Sequence, residues 1–248
     1  MINYLKSESY RLLRKKGPHL TGVICLFLIA AAAAVLYFSG QSDPNFRYAT
    51  SKFFYSNVVG SGLMIIIVGL IYNSFLTGKD LTLMKQSISF GISRNTIFWS
   101  KLILTLSYFL LICVVGIIFM AVLGENIFAG DNQAIRNFLL ACVNMAPIVL
   151  SGFFLTHTLK MLRVGDVYII IVVFFIFGLS GNMLRVFRPI SGLNELYKYA
   201  PHSLLKDNLM SFLDDAVQFD YKYWVVGIGI SVISLLIGAK KFATKNID

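Results

Sequence analysis

The sequence predicts an all-α integral membrane protein with six transmembrane helices, and three observations carry that reading. Of 248 residues, 57% are hydrophobic and 14% charged, and the mean hydropathy is +0.73, well outside the averages of soluble domains. Long apolar runs recur from one end of the chain to the other, each near the ~20 residues that a spanning helix needs. Basic residues fall mostly in alternate connections between those runs. Disorder is excluded by the low charge, and collagen-like or disulfide-built scaffolds by the modest Gly and Cys content. One membrane domain over residues 1–248 is therefore expected, with no room for a large soluble domain.

In chain order, the first element is an amphipathic N-terminal helix. Ile2, Leu5, Ser9, Leu12 and Leu13 share one side while Lys6, Arg14 and Lys15 lie elsewhere, the pattern of a helix lying along a membrane surface. The charged stretch before the first apolar run is longer than the start of a signal peptide, so no cleavage is expected. The spans follow at about 20–38, 58–76, 102–123, 138–159, 167–187 and 223–239. Between spans two and three lies an unusually long polar connection, TGKDLTLMKQSISFGISRNTIFWSKL. Leu81, Met84, Ile88 and Ile92 recur there near helical spacing. Gly91 can end one helix and Ser93 can cap the next at Arg94, which predicts helix, glycine break, helix. Between spans five and six, Pro189, Gly192 and Pro201 interrupt the chain. A re-entrant or interfacial helix is expected after Pro201, with Leu204, Leu205, Leu209, Phe212 and Leu213 on one face.

Charge sets the orientation. Fourteen of the 22 Lys and Arg fall on the side of the two termini and of the connections after spans two and four, with four of the 12 acids. The other side carries eight basic and eight acidic residues, so both termini are expected to be cytoplasmic, in the cell membrane, with a basic inner face suited to anionic lipid rather than nucleic acid.

No constellation for chemistry is legible. Cys25, Cys113 and Cys142 each sit in an apolar run without CxxC spacing; His19, His157 and His202 are scattered; and no GxxxxGK[ST] loop occurs. No catalytic residue, metal site or nucleotide site is expected in this chain, and the chain is not expected to be an enzyme. Asp214 and Asp215 read as solvated residues. Charged side chains are missing from the span centres, which argues against an ion-coupled carrier. Asn57, Ser61, Asn144, Ser151 and Asn182 are candidates to line a translocation path, weighed against plain interhelical hydrogen bonding. Gly227, Ser231, Ser234 and Gly238 form a small-residue stripe for close helix contact, within the chain or across a dimer.

These features resemble the membrane subunit of type-2 ATP-binding-cassette (ABC-2) exporters, the permease group that includes bacitracin and lantibiotic self-immunity transporters. The likeness lies in Glu8 with the Arg11 to Lys16 cluster; in Asp80 followed by LMKQSISFGISRNTIFWSKL, with Ser93-Arg94, Ile97 and Lys101 in the family's slots; and in the ending AKKFATKNID. The segment Lys79-Asp80-Leu81-Thr82 departs from the family's commoner "E..GT" opening. The resemblance implies a half-transporter working as a dimer with an identical or homologous permease, on two cytoplasmic ATPase subunits that bind ATP and Mg. It makes Asp80 to Gly91 the coupling helix, with Asp80, Leu81, Met84, Lys85, Ile88, Gly91 and Arg94 as the residues that reach the ATPase. It also implies export of an amphipathic or hydrophobic cargo, with a membrane-active or antimicrobial peptide expected ahead of lipid or polysaccharide. A membrane scaffold or regulatory subunit that transports nothing is the competing class.

Overall fold

The computed structural model describes residues 2–43, 45–77, 81–128, 131–190 and 192–245. Among these every regular element is helical. In order they are α1 (Ile2–Arg14), α2 (Lys16–Ser42), α3 (Ser51–Val59), α4 (Gly62–Thr77), α5 (Leu81–Ser89), α6 (Arg94–Ile127) and α7 (Asn132–Met161). Then come α8 (Asp166–Val173), a π-helical stretch Phe174–Leu179, α9 (Ser180–Leu184), α10 (Pro201–Leu213) and α11 (Tyr221–Thr244). Among the described residues, five stretches are long and apolar enough to cross a membrane: Lys16–Ser42, Arg94–Ile127, Asn132–Met161, Asp166–Phe187 and Tyr221–Thr244. The protein is thus an all-helical, multi-pass membrane protein.

The second expected span is not one straight helix. α3 and α4 together have the length and composition of a span but bend by 54° at Gly60-Ser61. Ser61 N–H turns back to the Val58 carbonyl at 2.9 Å, three residues away, so the α-helical ladder is interrupted there. The other helices run a few residues past the expected limits at most ends, because capped polar turns extend beyond the apolar runs. Asp131 accepts from Gln133 N–H and Asp220 from Lys222 N–H, and these caps start α7 and α11.

α7 is the axis of the bundle, and α11, α4, α3 and α10 all pack on it. Close approach is possible because small residues face it. A methyl group added at Gly227 would lie 2.5 Å from the Pro147 carbonyl carbon and oxygen, and one at Gly238 would lie 2.6 Å from the Thr158 side chain. Ser234 offers its carbonyl to Thr158 Oγ1 at 3.0 Å. Gly227, Ser234 and Gly238 of the expected stripe therefore face α7 inside the chain, while Ser231 bonds the Gly227 carbonyl of its own helix. Gly152 against Ile66 and Gly62 against Leu205 do the same for α4 and α10.

Two surface elements differ from their expected faces. In α1 the buried side is built on Glu8 and Leu12, while Ile2 and Leu13 are exposed. An acid sits in the middle of the packed face because a buried lysine lies opposite it. In α10, Leu204, Leu205 and Phe212 are buried and Leu209 is packed, as expected, but Leu213 is exposed. Asn208 takes a place on the buried face instead, donating to the Ala141 carbonyl of α7 at 3.0 Å.

Gly227→Ala is expected to destabilise the bundle by about 1–3 kcal/mol through overpacking against α7 backbone. Gly229→Ala, where an added methyl meets nothing within 4 Å, should be close to neutral. Thermal or denaturant unfolding of the purified protein in detergent compares the two.

Candidate functional site

The site builds on α5, the helix in the long polar connection. It ends as the spacing predicts. Gly91 has φ of +80°, its N–H bonds the Ile88 carbonyl at 2.9 Å, and Ile92 N–H bonds the Ser87 carbonyl at 3.1 Å. This left-handed glycine close satisfies two orphan carbonyls and reverses the chain. Ser93 then accepts from Thr96 N–H at 3.2 Å and starts α6 at Arg94.

The apolar stripe of α5 faces the bundle. Met84 is buried in a cluster with Ile97 and Phe98 of α6, Met161 of α7 and Phe242 of α11, and Ile88, Ile92 and Tyr4 pack around it. Met84 and Ile88 thus anchor α5 to the ends of three spans and of α1, with Met84 buried and Ile88 half-buried. What α5 presents outward is Leu83 (41% exposed), Lys85, Gln86, Ser89 and Phe90 (84% exposed). Leu83 and Phe90 are seven residues apart and so share a face. Sequence reasoning missed them because it took the most regular apolar stripe for the outward face. The available signal was a phenylalanine just before a turn glycine.

The remaining expected coupling residues fall as follows. Asp80 lies outside the described residues. Leu81 opens α5. Arg94 is turned inward, its guanidinium donating to the Ala243 carbonyl at 3.2 Å and to the Lys245 carbonyl, so it caps the C-terminus of α11.

Beneath α5 lies a buried polar network. Lys101 of α6 is fully buried, donates to the Leu76 carbonyl at the end of α4, and lies 3.4 Å from Glu8 Oε2. Glu8 also accepts from Arg11 at 2.7 Å. Lys15 reaches the Phe75 carbonyl. Tyr4 sits beside Glu8, and burial together with that carboxylate holds its phenol well above its ordinary range. One turn deeper, Thr105 Oγ1 bonds the Lys101 carbonyl at 2.8 Å and reaches Asn73 Oδ1 at 3.3 Å. Asn73 donates to Thr156 Oγ1 at 3.2 Å, and its Oδ1 lies 2.8 Å from His157 Nδ1. His157 is spent on this knot of α4, α6 and α7, with the Phe98 ring against it at 5.0 Å. Among the described residues no three His, Cys, Asp or Glu gather as a metal site.

The expected translocation residues do not share one lining. Asn57 bonds the Phe53 carbonyl of its own helix, and Ser61, at the bend, bonds the Asn57 carbonyl of α3. Ser151 bonds the Ile148 carbonyl at 2.7 Å. Asn144 holds the approach to α11, donating to the Gln218 carbonyl at 2.8 Å and accepting from Asp220 N–H at 3.3 Å. Asn182 is exposed on α9. Instead, a cavity of about 200 Å³ opens between α2, α3 to α4, α6 and α7, lined by apolar side chains and by Cys25, Cys113 and Cys142.

No protein-family model matches the chain, and no curated protein matches it.

Glu8→Gln is expected to cost about 1.5–3 kcal/mol, the worth of a hydrogen bond to a charged group, and to speed hydrogen exchange in α1. In a cycle with Lys101→Met, a coupling energy of at least ~0.5 kcal/mol marks the pair as interacting; additive effects would sever α1 from Lys101.

Proposed function

We propose that the chain is the membrane-spanning subunit of an ATP-driven exporter of the ABC-2 kind. In this reading the membrane is crossed six times, with α3 and α4 as one broken span, and both termini and α5 are cytoplasmic. α1 is an elbow helix on the inner surface, and α5 is the coupling helix to a separate ATPase. The two permease copies, identical or homologous, sit on two such ATPase subunits, which carry ATP and Mg.

The observation that supports this best is the construction of α5. A transmitter must be rigid toward the spans and free toward its partner, since a partner's closure moves the spans only through differential contact. Met84 meets the first need by seating α5 on α6, α7 and α11 together, and the Leu83–Phe90 face meets the second. The basic side of the molecule falls with α5, which suits both the positive-inside rule and an acidic groove on a partner. An amphipathic cargo, a membrane-active peptide first, fits the apolar cavity and the absence of charge near span centres.

Gentle purification followed by mass spectrometry should recover a co-eluting cassette ATPase. A folded preparation without one would move the reading to a non-transporting scaffold. In the reconstituted complex, Leu83→Asp with Phe90→Asp should abolish cargo-stimulated ATP hydrolysis while leaving the melting temperature of the membrane subunit unchanged. Met84→Asp should instead lower that temperature, since it buries a carboxylate in an apolar cluster. Undiminished stimulation in the double variant would sink the coupling role of α5.

A further inference from the structure

At the end of the bundle opposite α5, the chain leaves the span Asp166–Phe187, whose last residues Arg185–Phe187 form a 3-10 turn, and a second 3-10 helix, Leu196–Tyr199, precedes α10. Two arginines there are held against one aromatic ring. The Arg185 guanidinium lies 5.6 Å and the Arg188 guanidinium 5.1 Å from the centroid of the Tyr197 ring, and Arg188 Nη2 also donates to the Tyr197 hydroxyl at 3.3 Å. The ring's negative faces favour each cation singly, but placing two on one ring sets like charges side by side.

The nearby acids relieve this only in part. Glu195 is paired with Lys198 at 2.6 Å, and that lysine holds its carboxyl below the ordinary range. Among the described residues no carboxylate lies within ion-pair distance of Arg185 or Arg188. Asp207 lies within electrostatic reach of Arg185, but Lys206 and Lys222 share that carboxylate. Beside the stacked pair lies an open cleft of about 590 Å³, lined by Arg188, Pro189, Asn194, Glu195, Tyr197 and Lys198.

Around the cations, apolar side chains face outward. Val186 is 74% exposed, and Phe187, Ile190, Leu193, Leu196 and Tyr199 are exposed as well. In water such a collar is costly. At the end of an apolar span it falls where headgroups give way to acyl chains. Guanidinium is the group best matched to a phosphate diester, which it can hold through two parallel hydrogen bonds. We infer that Arg185, Arg188 and Tyr197, with the apolar side chains around them, form a headgroup site for an anionic phospholipid in the leaflet opposite α5. Arg185 and Arg188, aligned by Tyr197, take the phosphate, and the Val186, Ile190 and Leu193 collar takes the upper acyl chain. The inference stands whether or not the chain is a transporter.

The test uses the full chain in liposomes containing trace phosphatidylglycerol or phosphatidylcholine with the same photoactivatable acyl chain. Adducts are mapped to peptides by mass spectrometry. Phosphatidylglycerol should label 185–199 in preference to phosphatidylcholine, and each Arg→Gln change should cut that preference roughly fivefold, the effect of one basic residue near a charged surface. Labelling of the basic segment 11–16 should not change in Arg185→Gln/Arg188→Gln, which controls for folding and insertion. Tyr197→Leu keeps every charge and should also lower the preference, because the ring aligns the guanidiniums. Equal labelling by the two lipids, or an unchanged preference in the double glutamine variant, would overturn the site. An unchanged preference in Tyr197→Leu would overturn the built geometry in favour of bulk charge. Loss of the label on adding millimolar inorganic phosphate would assign the site to a free anion and overturn the lipid reading.

Discussion

The contact of α11 with α7 is the constraint on which the rest of the structure depends. In hydrocarbon there is little hydrophobic force between helices, so association rests on close packing and on hydrogen bonds. Gly227 brings α11 onto the backbone of Pro147, and Gly238 brings it onto Thr158, three turns further along. Pro147 is suited to that place because its missing N–H leaves the helix locally looser and its ring gives a rigid surface. Once α11 lies along α7, its C-terminus has a fixed position. Phe242 then joins the cluster that seats Met84, and the last carbonyls of α11 receive Arg94 from the start of α6. The position of α5 therefore follows from two glycines in a different helix.

The polar network below α5 solves a second problem, which is how to hold α1 against the spans without a large apolar face. A fully buried lysine is costly unless it is paired and hydrogen-bonded. Lys101 draws on both α4 and α1 to meet that condition, since the Leu76 carbonyl comes from one and Glu8 from the other. The cost of burying the charge thereby becomes a requirement for one arrangement of three helices. Asn73, Thr105, Thr156 and His157 extend the same logic one turn deeper with uncharged groups, each occupied by a neighbour's donor or acceptor. Intramembrane polar residues here serve assembly first.

Much of this was legible in the sequence, and the failures have a common cause. Apolar run lengths, the Gly91 close, the Ser93 cap and the Pro201 start of α10 are local properties, and local chemistry decides them. The bend between α3 and α4 was not legible, because Gly60-Ser61 inside an apolar run is compatible with an unbroken helix. The faces of α1 and α5 were misread because periodicity reports which residues share a side, not what the side meets. On α1 the buried side carries Glu8, which makes sense only once Lys101, 93 residues away, is known to lie opposite. The polar residues of the spans were open to two readings, path or packing, and only the identity of their partners separates them. Asn144 bonding the Gln218 carbonyl is such a partner.

The two ends of the bundle are finished in different ways, and the difference bears on what each can do. At the α5 end the helix termini are tied across elements: Arg94 to the end of α11, Lys245 to the Leu162 carbonyl at 2.5 Å, Lys160 to Asp166. Such ties make relative motion of those termini costly, so a push on α5 is carried to α6, α7 and α11 as a unit. At the far end Lys52 with Asp215 and Tyr55 with Glu125 tie α3 into the bundle, but residues 185–199 make their ion pairs and cation–π contacts among themselves. That segment is held to the bundle by the packing of Leu196–Tyr199 on α9 and α10 rather than by charged ties. Phe90 closes the argument at the first end. Burying a phenylalanine is worth about 1.5–3 kcal/mol, and on this chain alone that stabilisation goes uncollected at a tip whose backbone N–H groups from Phe90 to Ile92 are all bonded within the turn. In the exporter reading proposed above, a rigid mount carrying an unburied aromatic group is the form that an element completing its packing on another chain would take.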